Sequence, residues 1–156
     1  MTKSVVIERT FRAPIDRVWS MWTVSEHFAS WYGPPGAKIP VANMDVQVGG
    51  KRHIKMVMQT PNGQMQMWFT GVYEEVFPTT RLVYTESMSD ETGAVVSPQA
   101  MGMPEGHPET TRVIVQLEPS GEQTKMVLTH EGVAADSRGA MGWKMAIAKL
   151  EARLAE

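Results

Sequence analysis

Along residues 4–12, "SVVIERTFR", apolar and polar positions nearly alternate, which puts Val5, Ile7 and Phe11 on one side of a predicted strand. The period then changes. In "APIDRVWSMW" Pro14 suits a first helical position, and Ile15, Val18, Trp19 and Trp22 recur at i, i+3, i+4 and i+7, the stripe of an amphipathic helix. Thr23 and Glu26 stand at capping-box spacing. They predict a second short helix that carries Phe28 and Trp31 and stops at "GPPG" (33–36). Strand character returns with "VANMDVQV" (41–48), a turn or bulge at Gly49–Gly50, and "KRHIKMVMQ" (51–59). Asn62-Gly63 in "TPNGQ" predicts a tight hairpin into 65–76. "FPTT" turns the chain into 81–88, and "PSGEQT" joins 111–118 to 125–132. Seven strands with mostly short links pair antiparallel.

The last segment, "RGAMGWKMAIAKLEARLAE", reads as a long helix with two apolar stripes. Trp143, Ile147, Leu150 and Leu154 form one, and Met141, Met145, Ala148 and Ala152 form the other, about 180° away. The first stripe is expected on the sheet. The second is open either to water or to another copy of the chain, which leaves a homodimer open. Strand, two short helices, six strands and a long helix make an α+β chain with one curved antiparallel sheet around the C-terminal helix. Between the fifth and sixth strands, residues 89–110 are too long for an ordinary connection, and "PQAMGMPEGHPE" (98–109) has the composition of a shaped loop. Met101 and Met103 give it an apolar side, from which a lid or rim segment over the interior is expected, with a plain spacer as the alternative.

The chain has 156 residues, which suits one domain spanning 1–156. A formal net charge of -2 argues against a nucleic-acid partner. There is no cysteine, so disulfides and thiolate metal sites are excluded. No apolar run reaches the length of a membrane span and "MTKSVVIERTF" lacks a signal-peptide core, so a cytoplasmic protein is expected. The four histidines, at 27, 53, 107 and 130, show no ligand spacing; neither a metal nor a cofactor is expected. Thirteen methionines are many for this length, and Met suits soft, irregular interiors.

"FRAPIDRVWSMWTVSEHFASWYGP", "VGGKRHIKMVMQTPNG", "GVYEEVFPTTRLVYTESMSDETG" and "GWKMAIAKLEARL" together resemble the activator-of-heat-shock-ATPase-homologue branch of the START-like (SRPBCC) superfamily. The resemblance runs over nearly the whole chain. It implies the helix-grip fold, a seven-stranded sheet gripping a long C-terminal helix with a cavity between them. It also implies a choice of functions. The foremost is binding of a small hydrophobic or aromatic molecule in that cavity. A cyclase- or dehydratase-type enzyme in the same cavity and a chaperone-ATPase-activating interaction module are the alternatives.

Alternation assigns the faces that would line such a cavity. Arg52, Ile54 and Met56 share one face of the third strand with Met58; Arg52 occupies a place where the family resemblance implies an apolar or aromatic residue. Met67, Phe69, Gly71 and Tyr73 share a face of the fourth strand with Met65. Tyr84 and Glu86 share one in the fifth with Leu82 and Met88, and His130 follows Met126 and Leu128 in the seventh. Trp143 and Ile147 face them from the helix. Gly71 predicts a close approach. If Arg52 and Glu86 share the inner face they must pair or meet a ligand, because burying either charge alone is costly; a register shifted by one would put both in water. His130 reads either as a structural group or as a general base. No catalytic residue is assigned.

Overall fold

The computed structural model describes residues 3–101 and 108–155. Its elements are β1 (Ser4–Phe11), α1 (Ile15–Thr23), α2 (Ser25–Ala29), β2 (Lys38–Met44), β3 (Lys51–Thr60), β4 (Gly63–Phe77), β5 (Arg81–Ser89), a 3-10 turn (Pro98–Met101), β6 (Thr110–Ser120), β7 (Gln123–Glu131) and α3 (Arg138–Leu154). The strands form one antiparallel sheet in the order β1-β7-β6-β5-β4-β3-β2. One face of the sheet takes α3, whose Trp143, Ile147, Leu150 and Leu154 are buried as the stripe predicts. Met141 and Met145 on the opposite stripe are exposed. Ser137 caps α3 by accepting from the Ala140 amide. At the other end Arg17 of α1 donates to the Leu154 and Arg153 carbonyls at 2.8 and 3.0 Å, which satisfies orphan acceptors of the last turn.

Four local expectations need correction. Thr23 does not cap α2: it ends α1, its hydroxyl returns to the Trp19 carbonyl, and extended Val24 takes the cap position without a side-chain bond. Pro14 is likewise the cap of α1 rather than its first helical residue. The second strand starts at Lys38 and ends at Met44, earlier than 41–48, because an edge strand tolerates Pro40. In the β3–β4 hairpin Thr60 pairs with Gly63, so Pro61 and Asn62 make the turn. Pro61 supplies the φ near −65° that starts such a turn, and Gly63, at φ +114°, takes the conformation a side chain would resist.

A bulge in β4 sets the faces of the sheet. Tyr73 pairs with Tyr84 and Val76 with Leu82, so one extra residue lies between them. Tyr73 and Val76 both turn toward the core. Glu75, which unbroken alternation would turn inward, instead meets Arg81 at 3.1 Å. Glu74 meets Arg112 at 2.6 Å. After β5 the chain folds back on itself through a Ser89–Val95 bridge and a turn in which the Asp90 carboxylate accepts from the Thr92 and Ala94 amides.

Candidate functional site

The interior between sheet and helix begins as an aromatic wall. Phe28 and Tyr32, one helical turn apart, stack at 4.6 Å. Trp22 meets Trp31 at 4.8 Å, and Trp143 of α3 closes the group against Trp22 at 6.0 Å and Tyr32 at 5.9 Å. Opposite this wall the inner face of β3, β4 and β5 presents Arg52, Tyr73, Tyr84 and Glu86, all buried. These neighbours sit together because β3 pairs with β4, and Tyr73 lies directly across from Tyr84.

Arg52 is 2% exposed, yet none of its N–H groups is hydrogen-bonded to a described residue, and the buried Nε is without a partner. Aromatic rings surround it. Its guanidinium carbon lies 3.8 Å from the Tyr84 ring centroid, 5.4 Å from Phe28 and 5.9 Å from Tyr73. Glu86 faces the same interior but closes no ion pair with Arg52; its Oε1 accepts from the Tyr32 hydroxyl at 3.2 Å. The expected pairing is therefore not a direct contact. Glu86 Oε2 and the Tyr73 and Tyr84 hydroxyls also lack partners. Burial works against the Arg52 charge, but Tyr84, Tyr73, Glu86 and Tyr32 together outweigh it and hold its pKa above the ordinary arginine value. Burial, with Glu86 close by, pushes the Tyr84 and Tyr32 hydroxyls well above the ordinary tyrosine value despite Arg52.

His130 forms a separate relay. Trp143 Nε1 donates to His130 Nδ1 at 2.8 Å, so the imidazole bears its proton on Nε2 in the neutral form. Nε2 then donates to Thr111 Oγ1 at 2.7 Å, and Thr111 donates to the Glu86 carbonyl at 3.2 Å. Both ring nitrogens are engaged, and the relay ties α3 to β7, β6 and β5.

Ile54, Met56 and Ile147 are buried where expected, while Met67 and Phe69 are half-buried and Met65 is exposed. The inner face of β4 thus sinks into the core only toward Tyr73. At Gly71 the close neighbour is backbone: a Cβ there would overlap the Thr85 carbonyl oxygen of β5. Met103 lies outside the described residues, as does the Met101 side chain. Sequence reasoning missed Tyr32, Phe28 and Thr111. The i, i+4 spacing of Phe28 and Tyr32 is the signal that would have found the first two. Among the described residues two depressions lie outside this interior. One of about 230 Å³ is lined by Ser30, Lys149, Ala152 and Arg153, and one of about 330 Å³ lies beside Trp68, Asp90 and Val96. Neither depression is lined by the residues expected to line a cavity between sheet and helix. No group of three or more His, Asp or Glu residues suited to a metal occurs among the described residues, and no helix there is long and apolar enough to cross a membrane.

Residues 12–155 match the model of a family described as "Activator of Hsp90 ATPase homolog 1-like protein". No curated protein matches the sequence. Among solved structures, protein CV1439 from Chromobacterium violaceum superposes with a TM-score of 0.79 at 21% identity, covering 97% of this chain and 96% of that one. The AHSA1 protein from Silicibacter pomeroyi gives 0.75 at 20% identity, with 97% of each chain covered. Protein Ms6760 from Mycobacterium smegmatis gives 0.77 at 18% identity, covering 97% and 90%. These likenesses establish the fold, the gripped C-terminal helix with two short helices after the first strand.

Proposed function

The chain belongs to the family of Activator of Hsp90 ATPase homolog 1-like proteins, and from that premise we propose that it binds a small, largely apolar or aromatic molecule in the interior between the sheet and α3. The observation that carries the reading is the set of buried polar atoms without partners on three adjacent strands: Arg52 Nε, the Tyr73 and Tyr84 hydroxyls, and Glu86 Oε2. Such groups are costly to bury, and a fold retains them where something else completes their hydrogen bonds. The surrounding walls are apolar, and a few orienting polar groups among apolar walls are the make-up of a small-molecule site. Space comes from the methionines. Met56 faces Met67 across the β3–β4 pair, and such flexible side chains move aside at small cost. His130 has both nitrogens engaged, which favours binding over proton-transfer catalysis.

Titration with the neutral fluorophore N-phenyl-1-naphthylamine tests the reading. We expect saturable fluorescence enhancement with one site per chain, lost when Gly or Ala in the interior is enlarged, as in Ala146→Phe. Absence of saturable binding to the native protein would sink it.

A further inference from the structure

We propose that the ligand of this interior carries a carboxylate, which lies across the Arg52 guanidinium. The proposal rests on the binding reading above and adds the chemical class. Arginine presents a planar fork of N–H donors that matches a carboxylate with two parallel hydrogen bonds. In this protein Arg52 is 2% exposed, its Nε is buried without a partner, and none of its N–H groups bonds to a described residue. The aromatic rings of Tyr84, Phe28 and Tyr73 hold the cation through their faces, an attraction that leaves the N–H edge unused. Among the described residues the other buried formal charge here, Glu86, is bound on Oε1 by Tyr32, leaves Oε2 without a partner and forms no ion pair with Arg52. Tyr73 and Tyr84, whose rings face the guanidinium, add two buried hydroxyls without partners. The interior thus holds more donors than acceptors, the complement of an acceptor-only group such as a carboxylate. A ligand amine would bring a second cation beside Arg52. A hydrocarbon would leave every donor unpaired.

A matched set of probes reads this out on the native protein: phenylacetate, phenylacetamide, 2-phenylethylamine and ethylbenzene, each displacing N-phenyl-1-naphthylamine. Charge-assisted hydrogen bonds predict that phenylacetate binds about tenfold or more tighter than the amide and the hydrocarbon, with the amine weakest. Arg52→Met is expected to erase the preference for the acid while keeping ethylbenzene. Arg52→Lys keeps the charge and loses the fork, and supplies the readout if the Met variant does not fold; most of the acid's advantage should vanish. Equal binding of acid, amide and hydrocarbon would overturn the carboxylate assignment while leaving the binding reading intact, and so would an amine that binds best. If none of the four displaces a fluorophore that itself binds, the assignment falls alone. If the fluorophore does not bind either, the binding reading falls with it.

Discussion

Replacing Arg52 by Met and Glu86 by Gln together should make the protein as stable as before or more so. Arg52 is 2% exposed and Glu86 8% exposed, so both charges have left water. Each ion loses several kcal/mol of solvation on burial, and only good geometry returns it. The geometry here is incomplete: no ion pair closes between them, and Arg52 Nε and Glu86 Oε2 lack partners. Against the relief stands the lost cation–π contact with Tyr84 at 3.8 Å, about 0.5–2 kcal/mol. In Glu86→Gln the side-chain amide oxygen can still accept from Tyr32, and in Arg52→Met the thioether chain fills much of the arginine stem's volume. The net expectation is a gain of about 1–4 kcal/mol. For a domain of this size each kcal/mol raises Tm by about 2–4 °C. Either single substitution should be less stable than the double, because it leaves one buried charge facing no counterpart. Urea unfolding of the four proteins, with unchanged m-values, measures this. A double variant less stable than the native protein by more than about 1 kcal/mol would refute the reasoning, since the charges would then support the fold.

Trp143→Phe removes the donor to His130 Nδ1 and should cost about 1–3 kcal/mol, read as a lower urea midpoint. Gly71→Ala forces a Cβ onto the Thr85 carbonyl and should destabilise by about 2 kcal/mol or more; native-like stability would remove that account of the glycine. Arg17→Met should leave global stability nearly unchanged but speed amide exchange in the last turn of α3, whose carbonyls it binds. Tyr32 and Tyr84 keep their protons in the folded chain above the pH near 10 at which they ionise when unfolded. The unfolded state then binds fewer protons, so stability should fall as pH rises past about 10, by up to about 1.4 kcal/mol per unit for each tyrosine. Tyr84→Phe should make that slope shallower.

Periodicity carried the strands and the long helix because each has one face on a single core. Val5, Ile7 and Phe11 alternate inward as expected, and Val113, Val115 and Leu117 alternate the same way in β6. Alternation also placed Arg52, Tyr84, Glu86 and His130 in the interior. It gives a face and not a distance, so it does not show that Arg52 and Glu86 stop short of contact. The bulge after Tyr73 was invisible because "VYEEVF" reads equally well in either register until Arg81 and Arg112 fix the two glutamates outside. Tyr32 escaped because it lies beyond the end of α2, where only its i, i+4 spacing from Phe28 marks it. The failed cap at Thr23 shows the same limit: a local motif competes with a neighbouring carbonyl, here that of Trp19.

The pairing of the sheet also dictates an order of events in time. β1 has a single partner, β7, and they register from Ser4 with Glu131 to Phe11 with Thr124. Thr124 further secures the exit of β1 by donating to the Ala13 carbonyl at 2.8 Å. As the chain is synthesised, its first strand therefore waits with an unpaired apolar edge until the last hairpin has been made. Closing so long a loop is slow. During that interval Val5, Ile7 and Phe11 lack the core that buries them in the finished sheet.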